Sequence, residues 1–296
     1  MTRFERVRFI EFLKPVTAAR PPGGENWIHE IKYDGYRTQV LIECGQAKAY
    51  SKNGHDWTGR YEPIARAARQ LPCKSAVIDG EVIINNDLGV SDFSKLQRNL
   101  GKGDPDLLFM AFDLLHLDGY DLTHEPLIKR KEALQHLLKD TSAPIIYTEH
   151  LITNGQTFFE ACERLGLEGM ISKRPESTYK SGRSQCWLKT KCYVTKDFDI
   201  AGTATTKDGR YVALLKTRDT GVIAGSAFIN LTRKKREMLS DRIRDLRTHQ
   251  PLAKSSKYKQ LSFLKPGLVA SVKHLRGEES LRHASITDIW DETDDL

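Results

Sequence analysis

The chain has 296 residues, 39% of them hydrophobic and 29% charged, with a net charge of +7 and a pI near 9.0. That length suits two domains of ordinary size, and no apolar run reaches the roughly 18 residues that a membrane helix needs, so no membrane partner is expected. The N-terminal MTRFERVRFIEF lacks the apolar stretch of a secretory signal. Five scattered cysteines without CxxC spacing offer neither a disulfide framework nor a zinc site. A reducing cytoplasm fits. The basic excess is uneven. Residues 195–287 carry 19 Lys+Arg against 9 Asp+Glu, whereas residues 1–194 carry 27 against 25. The last nine residues, DIWDETDDL, are acidic. Such a distribution is compatible with a polyanionic partner.

In chain order, residues 26–51 read as two or three β segments around an Asp34-Gly35 pair, which by itself suits a type I′ hairpin turn. Residues 61–71 have helical spacing. SAVIDGEVII (75–84) reads as a strand pair or one bulged strand. DLLFMAFDLLHL (106–117) holds the continuous apolar run of a strand buried on both faces. A helix follows at 126–138 with Pro126 at its start, then a strand at 145–151 and a helix at 154–166 ended by Gly166. EGMISKR (168–174) and QCWLKTK (185–191) read as strands. Near 192–199 the character changes. Strands are expected at 198–206, 210–217 and 222–229, a helix at 231–246, and strands at 268–275 and 281–289. Five strands and one helix in this length suggest an OB-fold barrel.

Several charged residues end apolar strands: Lys32, Glu81, Asp113 and Glu168, with Lys173 at the far end of the strand that Glu168 opens. Lys189 and Lys191 alternate in WLKTK and so share one strand face. Taken singly, each has an ordinary reading: a hairpin lysine, a solvated strand end, an exposed face. Taken together they make a chemical set. A lysine attacks only as the neutral amine, and neighbouring cations such as Lys189, Lys191 and a bound metal favour that form. The same lysines suit a triphosphate, where charge grows in the transition state. Glu168 suits a hard divalent cation, Glu81 a ribose hydroxyl, and Phe112 a stacked purine. With no Walker A sequence and no GxGxxG, a nucleotide site here has to use side chains.

These motifs resemble the ATP-dependent DNA ligases of the covalent nucleotidyltransferase superfamily, most of all the ligase module of bacterial end-joining enzymes of the ligase D type. KYDGYR is similar to the superfamily's K-x-D-G-x-R, which implies Lys32 as the residue that carries AMP, with Asp34 in a positioning or acid–base role and Arg37 at the nucleotide. Glu30 matches an acid that contacts adenine in relatives. SKNGHDW resembles a nucleotide-contacting S-R-N-G segment and brings in Lys52. VIDGEVI places Glu81 on the ribose or metal, and FMAFDLL places Phe112 over adenine. EGMISKR places Glu168 at the metal and Lys173 near phosphate. WLKTK puts Lys189 and Lys191 on the phosphates, with Arg183 nearby.

The resemblance implies an α+β adenylation domain of antiparallel sheets (1–194) joined to an OB-fold domain (195–296). It implies ATP as substrate, Mg²⁺ or Mn²⁺ as cofactor, and broken DNA as partner. It also implies a monomer working at the bacterial nucleoid, beside a Ku-type end-binding protein and a separate repair polymerase. Arg233, Lys234, Lys235 and Arg236 are the candidate DNA contacts. Two departures stand out. Lys52 replaces an arginine and loses its bidentate geometry. In the tail, where relatives have a basic segment that orients pyrophosphate, Trp290 and Thr293 stand in place of Arg and Lys, which implies slow self-adenylation. The rival readings are an RNA ligase, a capping-type guanylyltransferase, and a degenerate DNA-end-binding subunit without catalysis.

Overall fold

The computed structural model describes residues 7–102, 106–248, 258–275 and 281–292. The chain divides into two compact units, Met1–Cys192 and Tyr193–Leu296. The first contains strands β1 (Leu13–Thr17), β2 (Ile28–Ile31), β3 (Tyr36–Glu43) and β4 (Gln46–Ser51), then helix α1 (Glu62–Ala68) and β5 (Ser75–Ile83). It continues with α2 (Phe93–Asn99), β6 (Leu108–Leu117), β7 (Tyr120–Asp121), α3 (Leu127–Leu138) and β8 (Ile145–Tyr147). Helix α4 (Gly155–Arg164), β9 (Gly169–Lys173) and β10 (Gly182–Lys191) complete it.

Two sheets form this unit. One runs β4-β3-β5-β6-β7, antiparallel except for β8, which lies parallel to β6; the other runs β1-β10-β9-β2. Neighbouring residues of the large sheet point to different cores. Val40, Ile42, Ile78 and Leu114 pack with Ile64 of α1 and Leu134 of α3. Leu41, Val77 and Leu115 pack with Leu13, Ile28 and Trp187 of the small sheet. Both faces are therefore apolar, which is why these strands read as unbroken hydrophobic runs.

The Asp34-Gly35 pair is not a hairpin turn. β2 pairs with β9 and β3 pairs with β5, so residues 32–35 cross from one sheet to the other. Gly35 is needed because a Cβ there would sit 2.1 Å from the Val82 carbonyl oxygen. The turn with left-handed residues lies between β3 and β4, at Cys44 (φ 50°) and Gly45 (φ 74°). The second Asp-Gly pair lies inside the single strand β5, which has bulges against β6 at Val77/Ile78 and Asp79/Gly80.

The second unit holds β11 (Tyr193–Thr206), β12 (Tyr211–Thr217), β13 (Ile223–Ile229), α5 (Arg233–Leu246), β14 (Tyr258–Phe263), β15 (Leu268–Leu275) and β16 (Ser285–Asp291). Their order is β12-β13-β16-β15-β11-β14, and β11 also pairs with β12, closing the sheet into a barrel. Its core includes Phe198, Ile200, Leu215, Val272 and Ile286, capped by Leu239 of α5. The barrel has a strand, β14, that the polar stretch YKQLSF did not announce, and β11 begins five residues before the expected 198.

Candidate active site

A cavity of about 770 Å³ opens in the first unit, lined from both sheets and from the crossing segment 32–35. Lys32 is placed there by its backbone: its N–H donates to the Gly169 carbonyl at 3.0 Å, next to Glu168. The side chains then meet, with Lys32 Nζ directly against Glu168 Oε2 and Lys191 Nζ 3.5 Å from Glu168 Oε1. Lys189 lines the same cavity, as do Lys52, Arg183 and Glu81. The ammoniums of Lys189 and Lys191 are both held below the usual lysine range. In each, burial is the largest cause, and Lys32 adds repulsion while Glu168 opposes the shift. Burial pushes the Glu81 carboxyl up to about 8, against the pull of Lys32 and Arg37. This end of the cavity is thus a concentration of cations around two carboxylates.

Another part of the lining, the aromatic end, is built on Phe112 and Trp187, whose rings meet edge to face with centroids 5.9 Å apart. Glu30 sits in its wall with both oxygens engaged, Oε1 2.7 Å from Lys131 and Oε2 2.6 Å from Lys173. Lys173 lies 4.4 Å from the Phe112 ring centroid and 4.0 Å from that of Trp187. Sequence reasoning put Lys173 near phosphate; its ammonium instead pairs with Glu30 at the aromatic end. Burial, with Lys131 adding to it, lowers Lys173 to about 8 despite Glu30.

Arg37 lines the cavity but is already committed. It makes paired hydrogen bonds to Asp79 at 3.1 and 2.8 Å and donates to the Leu13 carbonyl at 2.6 Å. Tyr179 also donates to Asp79, at 2.9 Å. Arg37 therefore ties β3 to β5 and β1, and the nucleotide-binding role expected of it has to share the guanidinium with this network. Asp34 lies in the crossing segment, where its backbone N–H donates to Ser91 Oγ at 3.1 Å.

Lys131 escaped sequence reasoning, although a signal was present. Leu127, Arg130, Lys131 and Leu134 are all buried on α3, so two cations interrupt an apolar stripe at helical spacing. Arg130 meets Asp113 through two 2.8 Å hydrogen bonds, with both side chains fully buried. Asp113, expected as a solvated strand end or site acid, is a structural ion-pair partner that anchors the strand bearing Phe112.

The description "ATP dependent DNA ligase domain" belongs to a family whose pattern matches residues 11–191, more than half the chain. The chain belongs to the ATP-dependent DNA ligase family. Among relatives, it is 35% identical over 206 residues to the multifunctional non-homologous end joining protein LigD of Pseudomonas aeruginosa, covering 68% of this chain and 24% of that one. It is 32% identical over 261 residues to the multifunctional non-homologous end joining DNA repair protein LigD of Mycobacterium tuberculosis, covering 84% and 34%. The chain thus spans only a quarter to a third of these relatives' length. A solved mycobacterial DNA ligase D complexed with ATP and MES superposes with a TM-score of 0.58 at 27% identity, covering 95% of this chain and 94% of that one. The ligase architecture, an antiparallel-sheet domain followed by an OB-fold, is that of the two units described above.

In the OB unit, the four residues of the basic run do not share one face of α5. Arg233 is exposed and pairs with Glu237 at 2.9 Å. Lys235 contacts Asp288, and Arg236 Nε donates to the Leu231 carbonyl at 2.9 Å, while Lys234 is exposed. Successive helical residues turn by about 100°, so four in a row point nearly all round the axis. The three tail acids among the described residues are also paired: Asp288 with Lys235, Asp291 with Arg242, and Glu292 with Arg218. Trp290 sits within β16 opposite Val269. Thr293 lies outside the described residues.

Proposed function

We propose that this chain is the catalytic part of an ATP-dependent DNA ligase that seals breaks bearing a 5′-phosphate and a 3′-OH. Residues 1–194 would act as the adenylation domain and residues 195–296 as the OB-fold domain. The observation that carries the reading is Lys32 against Glu168, with Lys189 and Lys191 about them, beside a cavity that Lys32 and Lys189 share with Phe112 and Trp187. A triphosphate suits the cationic end and a purine the aromatic one.

In this reading Lys32 attacks the α-phosphorus of ATP; an N–P bond forms and the bond to pyrophosphate breaks. Glu168, already in contact with the amine, is placed to take up the proton that the attacking nitrogen sheds. Asp34 helps to hold the crossing segment that presents Lys32. Lys189, Lys191, Lys52 and Arg183 bind the phosphates. AMP then passes to the 5′-phosphate of DNA, and the 3′-OH displaces it. Phe112 supports the purine, Glu30 meets its edge with Lys173 alongside, and Arg37 and Glu81 serve the ribose end.

Glu168 and Glu81 would hold Mg²⁺ or Mn²⁺. The donor set fits: both are hard carboxylates, and burial leaves Glu81 without a full counter-charge. Among the described residues no three metal-binding side chains converge, so most ligands would come from phosphate oxygens and water, as Mg²⁺ prefers. The ion supplies charge stabilisation on the phosphates.

The names of the relatives support a place in end joining; a monomer at the bacterial nucleoid is part of the same proposal. A Ku-type end binder and a separate repair polymerase are the expected partners. The test is incubation with α-labelled ATP or GTP, followed by nicked DNA or RNA. Label on the protein from ATP, passed to nicked DNA and released on sealing, supports the reading. Label from GTP alone would point to a capping enzyme, and transfer only to RNA to an RNA ligase. No label at all would leave a DNA-end-binding protein.

A further inference from the structure

We propose that Lys131 is a positioning residue for recognition of the nucleotide base, acting through Glu30. The proposal rests on the reading above, in which the aromatic end of the cavity takes the purine of ATP. Glu30 is 2% exposed and lines the cavity, whereas Lys131 is wholly buried behind it and does not reach the lining. Lys131 is itself fixed, its ammonium donating to the Thr148 carbonyl at 2.9 Å and lying 4.7 Å from the Tyr147 ring centroid. It also makes the 2.7 Å ion pair to Glu30 Oε1.

A carboxyl so deeply buried would favour the neutral form. Burial does oppose ionisation of Glu30, but Lys131 and then Lys173 outweigh it and hold the group below the usual carboxylate range. The two lysines differ as counter-charges. Burial brings Lys173 down to about 8, so its charge is only partly kept near that pH. In Lys131 burial is outweighed by Glu30, and the ammonium is held above the usual range. Lys131 is therefore the constant partner that keeps Glu30 anionic.

An anionic carboxylate only accepts hydrogen bonds. It suits a base edge that offers N–H, such as a 6-amino purine, and repels one that offers only a lone pair. Among the described residues no well-directed hydrogen bond reaches Glu30 Oε1, even though the Lys131 ammonium is close. That oxygen is buried and turned to Lys131, which leaves Oε2 to meet the base edge. Fixing the carboxylate's charge and place is what Lys131 adds.

The test compares self-adenylation by ATP with that by purine riboside triphosphate, which lacks the 6-amino group, in wild type, Lys131→Met and Lys131→Arg. The expected wild-type preference for ATP in kcat/KM is about ten- to a hundredfold, the factor carried by a hydrogen bond to a charged group. Lys131→Met should lose most of that preference, chiefly through KM for ATP, and Lys131→Arg should recover it. Both substrates are compared on one preparation, so a partly unfolded variant does not distort the ratio. If Lys131→Met slows both substrates equally and keeps the ratio, Lys131 only packs and the proposal is wrong. A wild type that labels equally with both triphosphates also overturns it. A wild type that takes no label from ATP instead overturns the ligase reading beneath it.

Discussion

Arg130–Asp113 and Lys131–Glu30 in the first unit are buried, whereas Arg233–Glu237 and Arg244–Asp241 in the second lie on the exposed surface of α5. The residue types are the same but the physics differs. A buried pair is costly to assemble and still costlier to break, because the surviving partner is left as an uncompensated charge. A surface pair is screened and contributes little. In the first unit charge therefore fixes geometry: Asp113 beside Phe112, Asp79 beside Arg37, Glu30 between two lysines. In the second unit it supplies a field, suited to a polyanion met by many weak contacts.

The largest expected effect lies at the point where buried charge becomes chemistry. Lys32→Ala should abolish covalent labelling by ATP, and Lys32→Arg should do the same because a guanidinium does not give up its proton. Labelling at wild-type rates in either variant would remove Lys32 from its role. Next in size is the contrast in stability. Arg130→Met should destabilise the first unit by about 3–5 kcal/mol, since Asp113 loses its buried partner. Arg233→Ala should stay within about 0.5 kcal/mol. Denaturant melts of the two variants check this, and similar losses in both would erase the distinction.

A smaller effect concerns pH. Glu81 has its folded-state pKa raised from 4.5 to about 8 by burial. Its folded form therefore holds a proton that the unfolded chain releases between those values. The stability it contributes is full below about 4.5 and is lost as pH rises through about 8. Glu81→Gln should show a flatter stability profile across that window, measured by thermal melts in the absence of nucleotide and metal. An unchanged profile would mean that Glu81 is ionised in the empty cavity.

Smallest is the response of α5. Each phosphate contact contributes roughly −0.9 to the slope of log K against log salt. With Arg233, Lys235 and Arg236 already engaged inside the unit, replacing all four residues of the run by alanine should flatten the slope of DNA binding by about one to two, not four. A loss of the full amount would show that DNA displaces those internal partners.

Much of this was legible in the sequence because it is local. The paired lysines of WLKTK alternate on β10, and the segment 106–117 with its apolar run became the buried strand β6. What escaped was non-local. The Asp34-Gly35 pair looks like a turn, yet its glycine answers to the carbonyl of Val82 on another strand. Lys173 ends its strand as expected, but its partner Glu30 lies 143 positions away and draws it to the aromatic end. The tail acids gave no sign in the sequence of their partners, whereas Asp288, Asp291 and Glu292 each pair with a cation of their own barrel. Only the folded register brings such pairs together.

The most direct test of the account is to locate the AMP adduct. The protein is incubated with ATP and Mg²⁺, digested, and its peptides mapped by mass spectrometry, alongside a Glu168→Gln variant. The account predicts one acid-labile adenylate, on Lys32, greatly reduced in Glu168→Gln. An adenylate on another lysine, or one on Lys32 that forms at the same rate without the Glu168 carboxylate, would contradict it.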